Sequence, residues 1–155
     1  MRPGAQDPVA TMEATPMTTS SDGTPPDPPT QLFAWGRIRW RVSPRTVPGT
    51  AITVGDVVVF PGKGHERHLH EGSDEVIYVL SGTGEQTVGD GAAFPIAAGD
   101  TVHIPRSVPH STHNTGWDVL RLVVVYGPAG AEEELRAAPD FREIPADRSP
   151  AMENA

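Results

Sequence analysis

The 155-residue chain contains no cysteine. No disulfide can staple it, no thiolate can act as a nucleophile, and no sulfur-ligated zinc site can form. Any metal must therefore be held by nitrogen and oxygen. Long apolar runs are missing too, which excludes a helical membrane span. The opening stretch MRPGAQDPVATMEATPM has an arginine but no apolar core region, so a secretory signal is not expected and a cytoplasmic protein is. Positive charge is scarce: 12 Lys and Arg against 20 Asp and Glu give a formal net charge of -8, with a pI of about 5.1. That balance argues against nucleic acid or an anionic membrane as partner.

Aromatic residues are absent from positions 1–32, which are crowded with Pro, Thr, Ser, Asp and Gly. Such a segment buries too little apolar surface to offset its ordering entropy, so 1–32 reads as a disordered tail. Met12 and Met17 lie within it, and translation from Met17 is an alternative to Met1. The remaining length suits one domain with a real core: a barrel over 33–128, then a C-terminal helix and tail over 129–155.

From Phe33 the chain changes character. Trp35 to Val42 alternates strictly, with Ile38, Trp40 and Val42 expected on one side and Arg37, Arg39 and Arg41 on a solvated face. Further β-type runs follow (AITVGDVVVF, EVIYVL, EQTV, AAFPI, DTVHIP, VLRLVVVY), separated by PGKG, SGTG, GDG, AGD and NTG. Short strands between glycine-rich turns indicate an all-β sandwich or barrel. Asp90-Gly91 reads as a tight hairpin joining Thr87-Val88 to Ala92-Ala93. One short helix is expected at 131–138 (AEEELRAA), with three glutamates in its first turn and Arg136 near its end. The rest of the C-terminus is expected to lie over the barrel and then fray.

All six histidines fall between positions 65 and 113. His68 and His70 are two apart, so on a strand they project from one face, about 7 Å apart along the backbone. The turn-forming EGSD follows, and Glu75 then opens a new strand that can face the histidine pair. His110 is the fourth candidate; if 109–114 is extended, Thr112 and Asn114 share its face and His113 points away. Three imidazoles and one carboxylate suit one divalent ion, Fe(II) or Mn(II) above all, with Zn(II), Ni(II), Co(II) or Cu(II) as alternatives. Four protein ligands on a six-coordinate ion leave two positions for chemistry.

Gly62-x5-His68-x-His70-x4-Glu75-x6-Gly82 resembles the first cupin motif at every position. Gly99-x5-Pro105-x-Ser107-x2-His110-x3-Asn114 resembles the second, with Ser107 where the family usually has glycine. The resemblance covers about 35–128. It implies a double-stranded β-helix, or jelly-roll barrel, with the metal on His68, His70, Glu75 and His110, and it implies dimers. SPRTVPGTAITVG and the YVLSG strand are similar to small cupins of actinomycete polyketide pathways, some of which are aromatase/cyclases.

Beyond these four, Glu66 would share the face of His68 and His70, and with His103 it is a weak catalytic candidate. His65 and His113 read as surface residues, Tyr78 as packing, and Trp35 and Trp40 as core or edge. Thr112 and Asn114 read as supports of the His110 loop. The expected function is a metal enzyme of oxygenase or cyclase/isomerase type acting on a small organic substrate. A non-catalytic metal- or metabolite-binding protein is the alternative.

Overall fold

The computed structural model describes residues 27–146; the expectations for 1–26, including the Met17 start, and for the last residues of the chain lie outside that range. Among the described residues, eleven strands form two antiparallel sheets. The strands are β1 (Thr30–Phe33), β2 (Gly36–Val42), β3 (Thr53–Val59), β4 (Gly64–His68), β5 (Asp74–Ser81) and β6 (Thr83–Val88). They continue with β7 (Phe94–Ala97), β8 (Thr101–Ile104), β9 (His110–Asn114), β10 (Leu120–Gly127) and β11 (Arg142–Ile144). One sheet has the order β11-β1-β2-β3-β10-β5-β8 and the other β4-β9-β6-β7. The two faces pack as a jelly roll.

Alternation builds the core. Leu120, Leu122, Val124 and Tyr126 of β10 point inward and are buried. They meet Ile77 and Val79 of β5, Val57 and Val59 of β3, and Ile38 and Trp40 of β2. Gly55 pairs with Trp40 across the ladder. A Cβ there would lie 2.5 Å from the indole ring, so the bulk of Trp40 requires glycine opposite it.

Four local expectations change. A bulge after Trp40 pairs Val42 with Val54, so Val42 faces away from Trp40 rather than with it. The sheet begins at Thr30 rather than 33: β1 pairs with β2 and β11, and Thr30 and Gln31 are buried. Gln31 Oε1 accepts a hydrogen bond from Trp40 Nε1 at 2.9 Å, which fixes the indole's polar edge. The β6–β7 hairpin exists, but its ladder runs only to Gln86 and Phe94, so the loop is wider than a two-residue turn. The C-terminal helix is a 3-10 helix, Ala131–Ala137.

The three consecutive glutamates of that helix each hold something different. Glu132 is buried and accepts from Thr53 Oγ1 at 2.7 Å and from Gly130 N at 2.9 Å. Glu133 accepts from Arg45 Nε at 2.6 Å and from Arg45 Nη2 at 2.7 Å. Glu134 reaches His70. The helix is thus tied to the barrel end by side chains as well as by Leu135 and Ala131 in the core.

Candidate metal centre

His68 closes β4, His70 lies two residues further, Glu75 is the second residue of β5, and His110 opens β9. The structure brings these four together: one donor atom from each lies within 4.8 Å of the others. His70, Glu75 and His110 are 4 %, 4 % and 1 % exposed, so their polar atoms depend on one another rather than on solvent.

Each imidazole is oriented through Nδ1. His68 Nδ1 lies 2.7 Å from Glu66 O, His110 Nδ1 lies 3.0 Å from Val108 O, and His70 Nδ1 lies 3.3 Å from Glu134 Oε2. Carbonyl and carboxylate oxygens only accept, so Nδ1 must carry the proton and donate. A neutral ring oriented in this way holds its lone pair on Nε2. His110 Nε2 and His70 Nε2 stand 2.9 and 3.4 Å from Glu75 Oε2. All three atoms are buried without a hydrogen-bond partner. Acceptors converging on acceptors in a buried pocket repel one another unless a cation, or a proton carried by one of the rings, lies between them. The donor set therefore fits a divalent ion, and its N3O composition suits the first-row metals named above.

The electrostatics agree. Burial pushes His68 down to about 3 and His65 down to about 4, so both rings are neutral at physiological pH. Burial also disfavours a charged His70, but the Glu75 and Glu134 carboxylates more than offset it and raise its pKa. Burial alone would raise the Glu75 pKa, yet hydrogen bonds and positive charge from the facing His110 and His70 rings bring it well below the ordinary range, so in the metal-free pocket a proton stands where the cation would. A proton on His70 therefore competes with a metal ion. Metal affinity should fall about tenfold per pH unit once pH drops below the raised His70 value, and level off above it. Zn(II) titrations between pH 5 and 8 check this; a flat profile would show that no ligand proton is displaced.

The surrounding cavity has a volume of about 30 Å³, room for an ion and roughly two waters. Its walls are mostly apolar, with Val57, Val59, Ile77, Leu122 and Val124 among them. All but two of its lining residues come from strands. The exceptions are Trp35, in the β1–β2 turn, and Leu135, in the 3-10 helix.

Two assignments exchange places. His65 lines the cavity instead of the surface, whereas Glu66 is exposed and points out of it. The cause is a bulge in β4. His65 pairs with Thr112 and His68 with His110, so residues three apart face the same way and Glu66 and Arg67 bulge outward. His65 stacks on Trp35 with ring centroids 4.8 Å apart and lies 3.9 Å from the His68 ring. His103 is on the outer face of β8, 3.4 Å from Asp74, and does not reach the cavity. Glu66→Gln and His103→Ala should leave the metal content at the wild-type level, which elemental analysis can verify. His113 is exposed, as expected, and so is Tyr78, which faces outward rather than packing.

Thr112 and Asn114 act as supports. Thr112 Oγ1 donates to Gln86 Oε1 at 2.6 Å, and Asn114 bridges three backbone groups. Ser107 takes the left-handed conformation (φ 62) that glycine adopts more easily, and its N–H holds His70 O at 2.8 Å. Sequence reasoning missed Tyr126, which is buried against the His70 ring at 4.8 Å and lines the cavity. The alternation of β10 was the available signal. Burial, with the Glu75, Glu132 and Glu134 carboxylates nearby, pushes the Tyr126 phenol well above its usual value, so it stays protonated.

Comparison with known proteins places this geometry in context. Residues 51–126 match the family described as Cupin domain. Protein SchB of Streptomyces halstedii is 33% identical over 109 residues, covering 70% of this chain and 78% of SchB. Polyketide synthase CurC of Streptomyces cyaneus is 31% identical over 100 residues, 64% of each chain. Among solved structures, a Klebsiella pneumoniae protein with a double-stranded beta-helix domain superposes with TM-score 0.56 at 20% identity, covering 72% of this chain and 85% of the other. Bacillus subtilis oxalate decarboxylase, described with Mn(II) centres, gives 0.60 at 21% identity, over 75% of this chain but 29% of that longer one. These superpositions establish the shared fold. Among the described residues, no helix is long and apolar enough to cross a membrane.

Proposed function

The chain belongs to the cupin family, and from that premise we propose that it is a metal-dependent enzyme acting on a small oxygen-bearing organic molecule. His68, His70, Glu75 and His110 would hold the ion. When bound, the ion supplies Lewis acidity to a carbonyl or enol oxygen or, in the case of iron, redox chemistry with O2. The observation that carries the reading is the convergence of buried, unpartnered His70 Nε2, His110 Nε2 and Glu75 Oε2 at one cavity. Mn(II) or Fe(II) is the preferred ion, and the Mn(II) centres of the oxalate decarboxylase relative in fold support manganese as a first test.

The chain's own residues contribute orientation and exclusion of water. Glu66 O, Val108 O and Glu134 aim the three Nε2 lone pairs, and the valine and leucine walls keep the site dry, which strengthens electrostatic contacts made there. The likeness to CurC supports a polyketide-type substrate and a cyclase or isomerase reaction in bacterial secondary metabolism. In a cavity of about 30 Å³ such a substrate needs Trp35 or Leu135 to yield, since the other walls are sheet.

The test is elemental analysis of full-length protein purified without chelator, then turnover and O2-uptake screens on aromatic and 1,3-dicarbonyl substrates. About one ion per chain with substrate turnover supports the enzyme reading. Stoichiometric metal without turnover under Fe, Mn, Ni and Zn would favour the binding-protein alternative.

A further inference from the structure

Tyr126 is the one phenol in the cavity wall, and the metal group leaves it without a task. Its Cα pairs across the ladder with that of Glu75, so the two side chains stand side by side on the inner sheet face. The ring is wedged between the His70 ring at 4.8 Å and the Trp40 ring at 5.7 Å. The residue is 4 % exposed. Its hydroxyl makes no hydrogen bond to any described residue, and the residue forms part of the cavity wall. A buried hydroxyl normally finds a partner, because leaving one unpaired costs about 1–3 kcal/mol. The other polar groups of that wall are either candidate ligands or, as with Thr112, already bonded within the protein, His65 and the Trp35 indole excepted.

We propose that Tyr126 is a catalytic residue that donates a hydrogen bond to an anionic oxygen, enolate or carboxylate in type, of the substrate bound at the His68, His70, Glu75 and His110 site. The inference rests on the metal-enzyme reading above and narrows its substrate class to molecules presenting a second oxygen beside the one that meets the ion. Tyr126 sits next to Glu75, so a bidentate oxygen ligand can reach both the ion and the phenol. A hydrocarbon would leave the hydroxyl unpaired.

The chain has two tyrosines, Tyr78 and Tyr126, and Tyr78 lies on the outer sheet face. Full-length protein labelled with 3-fluorotyrosine therefore gives a two-line 19F spectrum in which Tyr78 is the internal control, assigned with Tyr78→Phe and Tyr126→Phe. The probe is acetohydroxamate, a small bidentate oxygen anion, added to Zn(II)-loaded protein. The Tyr126 line should shift on titration while the Tyr78 line stays still. Tyr126→Phe should weaken probe binding about tenfold, as expected for a lost hydrogen bond to a charged oxygen, with Zn(II) content unchanged. An unmoved Tyr126 line at saturating probe, or equal affinity in the variant, overturns the proposal. Failure of wild type to take up Zn(II) would instead overturn the metal reading. The same 19F titration of the metal-free protein then decides Tyr126 separately: a shift keeps the donor role and its absence ends it.

Discussion

Replacing His110 with alanine is expected to reduce bound metal from about one ion per chain to a trace, measured by elemental analysis after dialysis against buffered Zn(II) or Mn(II). His110 is 1 % exposed and aims Nε2 at Glu75 Oε2 from 2.9 Å, so it is central to the donor group. Removing a group that only orients a ligand typically costs 10–100-fold in metal affinity, so loss of a ligand should exceed about 100-fold. The variant should also lose metal-linked stabilisation, which for wild type at a hundredfold excess over Kd is about 2.7 kcal/mol. Alanine leaves the buried Glu75 carboxylate without its nearest partner, so the metal-free variant should melt lower than metal-free wild type. His68→Ala separates the two effects. Its ring is half-buried and contacts no carboxylate, so metal should be lost with a smaller change in apo stability. Full occupancy in both variants would rule out the four-residue metal site.

Asn114→Ala should produce the largest loss of stability away from the donor group. Asn114 is fully buried, and its Nδ2 donates to Val59 O at 2.9 Å and Asp118 O at 2.8 Å. Its Oδ1 accepts from Gly116 N at 2.9 Å. One side chain thus ties β9 to β3 and closes the turn that leads into β10. Alanine removes three bonds and leaves Val59 O unpaired in the dry interior, a loss of about 3 kcal/mol. For a chain of this size that lowers the melting temperature by roughly 10 °C, readable by circular dichroism. Because Asn114 reaches no donor atom of the site, metal content per folded chain should hold. A melting temperature within about 2 °C of wild type would show that water replaces the amide.

The donor set His68, His70, Glu75 and His110 was legible because residue type and spacing belong to the chain alone, and the four matched both motif spacings. The shared inward face of Ile38 and Trp40 was legible from alternation within one strand. The exchange of His65 and Glu66 was not, since the bulge in β4 exists only in the pairing with β9, whose residues lie more than 40 positions away. Val42 changed sides through a second bulge, set by β3. The short strands β1 and β11 carry too few residues to show a period, and what orders them is their mutual pairing, Thr30 with Ile144 and Leu32 with Arg142. The three glutamates at 132–134 read as helix-dipole partners, whereas in the folded chain each meets a different element.

The sequence by itself determined the chemistry available: a nitrogen and oxygen donor set without sulfur, mounted on alternating strands of an all-β barrel. It did so because residue type and spacing are fixed before any strand finds its partner. Tertiary structure decided which polar groups share the cavity with that donor set. His65 and Tyr126 enter it and Glu66 and His103 do not, because facing depends on bulges, and the neighbour of each side chain depends on register against strands distant in the chain.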